Sequence, residues 1–231
     1  MKKWAIAWSI VILAMFAVNA VAKTTHTDVT KTIPDDDSGV WDYTMFSALD
    51  SSISSEKEQL ALDYDNFSVI AKVTATGWIE QRFNATLMEC VIQEVYRGDP
   101  SLAGKTVRYV TLAHFNPETK TLNGGSINFM KEGYDYLIFM FERNMPIGWK
   151  DDGYLYFHSS SMSLFSSYLT AQLPYFCFSD GENIVPLGDE FDSMYGPTYG
   201  QLAGNEVFVR SQTALNVFLD LKRQLFETYV Q

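Results

Sequence analysis

The chain has 231 residues, of which 47% are hydrophobic and 15% are aromatic, and it carries a formal net charge of −11 at pH 7. This apolar and aromatic content is typical of a packed globular fold rather than of a disordered chain. The excess of acidic residues, with no cluster of Lys or Arg to offset it, argues against binding to nucleic acid or to anionic lipid.

Residues 1–22 have the three parts of a secretory signal peptide. Met1-Lys2-Lys3 is a short basic start, the run from Trp4 to Val18 is apolar or small, and Ala20-Val21-Ala22 carries the small side chains that a signal peptidase accepts. The alternative is a retained N-terminal anchor, because the stretch 4–22 approaches the roughly 20 residues that span a bilayer. Both interpretations place the remaining chain outside the cytoplasm, either secreted or tethered to the membrane at the cell surface.

The segment 23–42 is rich in Thr, Asp and Ser, and we expect it to be a solvated spacer before a single domain at 43–231. The spacer contains Asp35-Asp36-Asp37, whose carboxylates are hard ligands for calcium. The run lacks the ligand spacing of an EF-hand loop and its terminal bidentate Glu. We therefore predict neither a metal site nor any other cofactor.

Strand patterns dominate the middle of the chain. From Val69 to Thr76 apolar and polar residues alternate, which is typical of a half-buried strand, and Gly77 then predicts a bulge or bend. Further strands are predicted at 84–96, 105–112 and 134–141, with shorter ones at 154–157, 175–178 and 206–209.

Helical periodicity appears near the C-terminus. Apolar residues recur at helical spacing from Ala214 to Leu225, which predicts an amphipathic helix over 212–229 with Ser211 as its N-cap. A capping box at Ser55 predicts a short helix over 56–62. The expected fold is therefore mostly β, of the α+β type, with the C-terminal helix packed on the sheet.

The region 67–141 resembles the netrin-like module, the OB-type β-barrel of tissue inhibitors of metalloproteinases and of many uncharacterised exported bacterial proteins. The matched pieces are 68–73, 90–99, 107–112 and 131–139, and the region 67–141 that contains them is about a third of the chain. The resemblance implies a small closed β-barrel. It carries over no inhibitory residue, because metalloproteinase inhibition depends on a cysteine at the mature N-terminus, where this chain has Lys23 or a retained anchor.

The chain has two cysteines, Cys90 and Cys177, both within apolar strand-like runs. Outside the cytoplasm an even number of cysteines permits a disulfide between them. The alternative is that each is a small buried hydrophobic residue.

No catalytic constellation is evident in the sequence. The histidines are His26, His114 and His158, and no Gly-x-Ser-x-Gly motif accompanies them. The denser acidic groups are Asp151-Asp152 and Asp189-Glu190 with Asp192, and both flank loop-like glycines. A hydrolase of the acid–base type would have its carboxylates in the second group. The integrin-type tripeptide Arg97-Gly98-Asp99 is explained by a turn that ends a strand.

The segment 187–205 is the first place to look for a binding surface, because Phe191, Tyr195 and Tyr199 lie there among acidic residues and glycines. The alternative is a long connection that packs its own aromatic side chains on the barrel. These observations predict an exported or cell-surface binding module that is not an enzyme and that binds a protein or glycan partner. A structural or assembly component of the cell envelope is the alternative, and an exported hydrolase is less favoured.

Overall fold

The computed structural model describes residues 44–45, 63–82, 85–111, 113–116, 119–123, 126–143, 152–159, 173–181, 183–185, 198–209 and 211–230. The predicted N-terminal segment 1–22, the spacer 23–42 and the short helix 56–62 lie outside these residues. Within the described part, the chain is mostly β with a long C-terminal α-helix, as predicted. None of its helices there combines the length and the apolar character that a membrane crossing requires.

Nine strands and two α-helices are present in the described part. The strands are β1 (Thr44–Met45), β2 (Val69–Arg82), β3 (Ala85–Arg97), β4 (Thr106–Thr111), β5 (His114–Asn116), β6 (Thr121–Asn123), β7 (Asp135–Arg143), β8 (Leu155–His158) and β9 (Tyr175–Cys177). The helices are α1 (Tyr199–Leu202) and α2 (Gln212–Tyr229), and single 3-10 turns are formed by Tyr64–Asn66 and Pro100–Leu102.

Six of the strands form one sheet in the order β2-β3-β4-β8-β7-β9, and β2 pairs with β7 as well. The pairing of β4 with β8 is parallel, and the other pairings in this sheet are antiparallel. A second, three-stranded sheet has the order β1-β6-β5. β2 thus has a hydrogen-bonded neighbour on each side, β3 and β7.

The long strand β2 confirms both the predicted alternation and the predicted bulge. Val69, Ala71, Val73 and Ala75 are buried, while the polar residues between them are partly exposed. Between the pairs Ala75–Cys90 and Ile79–Met88, three residues of β2 face one residue of β3, and Gly77 in the middle has φ of +83°. The strand continues beyond this bulge to Arg82.

The predicted strand at 206–209 is wrong. This segment forms a single bridge, between Val207 and Ile127, because its other backbone groups bond elsewhere. The amides of Glu206 and Val207 both donate to the side-chain oxygen of Asn183, at 2.8 and 3.2 Å. The Glu206 carbonyl and the Phe208 amide bond the backbone of Asn128 and Ser126, both at 2.8 Å, so the ladder is limited to this one bridge.

The C-terminal helix α2 has the predicted bounds and the predicted cap. The Ser211 hydroxyl accepts a hydrogen bond from the Ala214 amide at 3.1 Å, as an N-cap does. The apolar stripe packs on the sheet, where the Phe218 ring stacks on that of Phe176 with centroids 5.5 Å apart. Burial of this stripe supplies most of the helix stability, because helices in proteins are stabilised mainly by packing of an amphipathic face rather than by intrinsic helix propensity.

The open edge of β5 is covered by one side chain. The Gln81 amide is buried and forms two hydrogen bonds of 2.7 Å with the backbone of Phe115, one to the carbonyl and one from the amide. Gln81 therefore takes the place of a further strand and satisfies backbone groups that would otherwise be free to pair with another chain.

We expect Gly98→Ala to lower the free energy of unfolding by about 1–3 kcal/mol, measured by urea denaturation. Gly98 has φ of +110°, and an added Cβ would lie 3.1 Å from the Ser68 carbonyl oxygen and from Cγ2 of Val69. Gly104 is the matched control, since it also has positive φ but has no atom within 4 Å of the added Cβ. Equal losses of stability in the two variants would show that the positive φ accounts for the whole effect. The contacts of the added Cβ at Gly98 would then contribute nothing.

Candidate functional site

The strongest candidate site is the aromatic–arginine face, which we define as Trp78, Glu89, Arg108, Asp152, Tyr154 and Tyr156. Strand pairing brings these residues together, because Glu89 of β3 lies opposite Arg108 of β4, and Arg108 lies beside Tyr156 of β8. Trp78 follows the Gly77 bulge, which changes the register of β2 against β3. Bulges commonly redirect a side chain in this way.

The Arg108 guanidinium lies between two aromatic rings. Its central carbon is 4.2 Å from the ring centroid of Trp78 and 3.9 Å from that of Tyr154. Both distances are well inside the range of favourable cation–π contact, and each contact is worth about 0.5–2 kcal/mol depending on desolvation. The planar cation and the two rings therefore form a rigid stack on the outer surface of the sheet.

Two carboxylates complete the surroundings of Arg108. Its Nη1 atom bonds the Asp152 carboxylate, and its Nε atom lies 3.8 Å from Oε2 of Glu89. The Tyr156 hydroxyl donates to the same Asp152 carboxylate at 2.7 Å. One guanidinium thus faces two carboxylates, so the six residues together carry more negative than positive charge.

The pKa of Asp152 reflects this network. Burial alone would raise it, but the hydrogen bonds from the Tyr156 hydroxyl and the Tyr154 amide, with the charge of Arg108, lower the pKa of this carboxyl below its usual value. The pKa of Tyr156 is raised, first by desolvation and then by its bond to Asp152. Near neutral pH the Asp152 carboxylate is therefore ionised and the Tyr156 hydroxyl is neutral. Tyr156 is only 2% exposed and the Arg108 side chain 12%, so the accessible parts of the face are Asp152 and the rings of Trp78 and Tyr154.

A second group of charges lies buried at the contact between α2 and β9. The Lys222 ammonium is 2.9 Å from Oε2 of Glu206, and these side chains are only 9% and 6% exposed. The other Glu206 oxygen accepts the amide of Cys177 at 2.6 Å, and Lys222 also donates to the Ser179 carbonyl at 3.2 Å. Desolvation raises the pKa of Glu206, although Lys222 and the Cys177 amide oppose the shift.

A buried acid with a raised pKa is a feature of many active sites, so Glu206 is the residue that a catalytic hypothesis would choose. Both of its oxygens, however, are already bonded, one to β9 and one to α2. Structural ion pairs perturb pKa values in the same way. The geometry indicates that Glu206 connects the helix to the edge of the sheet.

Of the three aromatic residues of the possible binding loop, the structure describes Tyr199, and this residue is buried. Tyr199 is only 4% exposed, and its hydroxyl donates to the buried amide oxygen of Asn128 at 3.0 Å. Its ring also packs edge-on against Phe115. It therefore packs on the sheet, as the alternative interpretation required. Phe191 and Tyr195 lie outside the described residues, as do Asp189, Glu190 and Asp192.

The two cysteines are free thiols rather than a disulfide, and both are buried. Burial, with a smaller contribution from the charge of Glu89, raises the pKa of Cys90 to about 12. The Cys177 sulfur lies 3.0 Å from the Ser179 hydroxyl oxygen. Of the two sequence interpretations, the structure matches the one in which each cysteine is a small core residue.

The Arg97-Gly98-Asp99 tripeptide has structural roles. Arg97 forms an ion pair with Asp65 at 3.0 Å, and its guanidinium carbon lies 5.5 Å from the Tyr229 ring centroid. The Asp99 carboxylate caps the following 3-10 turn by accepting the Ser101 amide at 2.8 Å. These contacts agree with the predicted turn. Through the contact of Arg97 with Tyr229, the turn also packs against the end of α2.

The other candidate groups are only partly covered by the structure. His114 lies on β5 and His158 at the end of β8, whereas His26 and Asp35-Asp36-Asp37 lie outside the described residues. In the part of the chain that the structure covers, no three His, Cys, Asp or Glu side chains are grouped so that they could hold a metal ion.

No protein-family model and no curated protein matches this chain. Local patterns in the sequence point to two parts of the aromatic–arginine face but not to the face as a whole, because its residues come from four strands and one loop. The two signals are Gly77, whose bulge redirects Trp78, and the acidic pair Asp151-Asp152, whose second residue bonds Arg108.

Proposed function

We propose that the chain is an exported or cell-surface binding module, without catalytic activity of its own, that binds a protein or glycan partner on the aromatic–arginine face. The observation that carries this proposal is the position of Arg108 between Trp78 and Tyr154. Trp, Tyr and Arg are the residues in which binding energy concentrates at protein interfaces. Aromatic planes also pack against the apolar C–H faces of sugar rings, and polar groups beside the planes can bond the sugar hydroxyls.

The fold that we propose for this module is a small closed OB-type barrel, of the netrin-like kind. Support comes from the strand pairings, which run from β2 through β3, β4, β8 and β7 and return to β2. In the OB-type barrel the first strand likewise pairs with the second and the fourth, and the third pairs in parallel with the fifth. Ligands of such barrels bind across the second and third strands, between the loops that flank them.

In this strand order the aromatic–arginine face would lie on the second and third barrel strands, where OB-type barrels bind their ligands. β3 and β4 would be the second and third barrel strands, and they carry Glu89 and Arg108. Asp152 and Tyr154 come just before β8, where the loop between the fourth and fifth strands ends. The acidic net charge disfavours nucleic acid as the ligand.

We expect the double change Trp78→Ala and Tyr154→Ala to reduce partner recovery at least about tenfold, because interface hot spots cost about 2 kcal/mol or more on truncation. The experiment is chemical cross-linking on intact producing cells, followed by capture of this protein and quantification of what it retains. Tyr134→Ala is the matched control, since Tyr134 is 47% exposed and lies outside the face.

Thermal unfolding of each purified variant must show that it remains folded. A partner recovered equally with the double variant would contradict the proposed binding face. A folded protein that retains no partner under any condition would contradict the binding function itself.

A further inference from the structure

A groove of about 400 Å³, which we call the helix groove, lies between α2 and the segment 180–183 that follows β9. It shares no residue with the aromatic–arginine face. Its apolar wall carries Leu215 and Leu219 of α2, which are 6% and 40% exposed. Ile184, next in the chain after the groove residue Asn183, is 58% exposed. Two of the three large hydrophobic side chains exposed in the described part of the chain thus lie on the two elements that form this groove.

Three charged groups line the helix groove, and they do not cancel. The Lys222 ammonium is 2.9 Å from Oε2 of Glu206 and 3.8 Å from Oδ1 of Asp180, so a single cation faces two carboxylates. Lys222 and Glu206 are buried, whereas the Asp180 side chain is fully exposed. The groove therefore carries one negative charge in excess, and its accessible carboxylate is that of Asp180.

The neighbouring charges on α2 leave this balance unchanged. Arg223 bonds Asp220 at 2.7 Å, so these two charges cancel one another, and neither residue lines the groove. The chain as a whole is also acidic, with a net charge of −11. An anionic ligand is therefore repelled from the groove, and a cationic ligand is attracted to it.

The helix groove also contains an amide side chain whose orientation is fixed. Oδ1 of Asn183 accepts the backbone amides of Glu206 and Val207, at 2.8 and 3.2 Å. The other arm of this side chain must therefore be the NH2 group, which has no hydrogen-bond partner in the described part of the chain. It is available as a donor, and a peptide carbonyl is an acceptor of the required kind.

We propose that the helix groove is an interaction surface for a basic and apolar peptide segment of a partner protein, in addition to the aromatic–arginine face. An apolar side chain of this segment packs on Leu215 and Leu219. A neighbouring lysine or arginine side chain pairs with Asp180, and a backbone carbonyl accepts a hydrogen bond from Asn183. The excess charge of the groove selects the basic residue, and the apolar wall supplies contact area.

The test is a titration of the full-length chain at pH 7 with acetyl-leucyl-lysine amide, followed by NMR chemical shifts. Acetyl-leucyl-glutamine amide and acetyl-leucyl-glutamate amide are the neutral and anionic probes, and acetyl-glycyl-lysine amide lacks the apolar side chain. We expect the leucyl-lysine probe to bind about twofold to fivefold more tightly than the neutral probe, because an exposed ion pair contributes up to about fivefold. The glutamate and glycyl probes should bind more weakly than the leucyl-lysine probe, and the shifted signals should come from residues around the groove.

Two variants at exposed positions separate the charge from the apolar wall. Asp180→Asn should weaken the leucyl-lysine probe about twofold to fivefold and leave the leucyl-glutamine probe unchanged. Leu219→Ala should weaken both probes at least about threefold, because it removes apolar area from the wall. Glu142→Gln is the matched control, since Glu142 is an exposed acid on β7 that does not line the groove, and it should change neither affinity.

Unchanged affinity of the leucyl-lysine probe in Asp180→Asn would overturn the proposal, as would an equal weakening by Glu142→Gln. So would a preference for the glutamate probe, or the absence of saturable shifts at millimolar concentrations of the leucyl-lysine probe.

Discussion

Glu206→Ala is expected to lower the free energy of unfolding by about 3–5 kcal/mol, because it removes the nearest counter-ion of the buried Lys222 ammonium. The two side chains are 6% and 9% exposed, and the carboxylate that remains near Lys222 is that of Asp180, which is 3.8 Å away and fully exposed. The change also removes the acceptor of the Cys177 amide. Urea denaturation measured by circular dichroism gives the loss directly.

Two further variants assign this loss. Glu206→Gln keeps an acceptor for the Cys177 amide but removes the charge, so its loss should be smaller than that of Glu206→Ala. Arg223→Ala breaks an exposed ion pair with Asp220 on the same helix, where the side chains are 69% and 42% exposed, and should cost less than about 1 kcal/mol. A loss near 1 kcal/mol for Glu206→Ala as well would mean that water reaches the pair.

Phe176→Ala is expected to cost about 3–5 kcal/mol, the usual range for emptying a fully buried phenylalanine site. The Phe176 ring is completely buried and joins the sheet to the helix, with centroids 5.9 Å from Tyr64, 6.2 Å from Phe139 and 5.5 Å from Phe218. The cavity left behind would be lined by rigid rings that cannot move in to fill it. Chemical denaturation again measures the loss.

The control for Phe176→Ala is Leu219→Ala on α2, because Leu219 is 40% exposed and should change stability by less than about 0.5 kcal/mol. A similarly small effect at Phe176 would be incompatible with a core in which β9 and α2 share one aromatic cluster. Loss of cooperative unfolding in the variant would instead show that this cluster holds the two elements together.

Local patterns in the sequence predict the elements that depend on neighbouring residues. Alternation along 69–76 predicted the first part of β2, and the apolar stripe with Ser211 predicted α2 to the residue. The bulge at Gly77 was also predicted, because the demand for positive φ is a property of one position. The segment 206–209 has a strand-like composition but no strand neighbour, so the same reasoning failed there.

The candidate sites depend on residues far apart in the chain. Arg108 reaches Tyr154 because β4 pairs with β8, and it reaches Trp78 because β4 and β2 both pair with β3. Glu206 contacts Lys222 only when α2 packs on the sheet. Tyr199 is buried where its hydroxyl donates a hydrogen bond to Asn128, which is distant in the chain. None of these partners is indicated by spacing along the chain.

The sequence by itself determined the β-rich class, the long C-terminal helix and the glycine bulge of β2, because periodicity, capping and backbone freedom act over a few residues. The tertiary structure decided the pairing order of the strands, the ring stack around Arg108 and the burial of Glu206, Tyr199 and both cysteines. These features require contacts between distant segments, and the free energy that selects such contacts belongs to the packed chain as a whole.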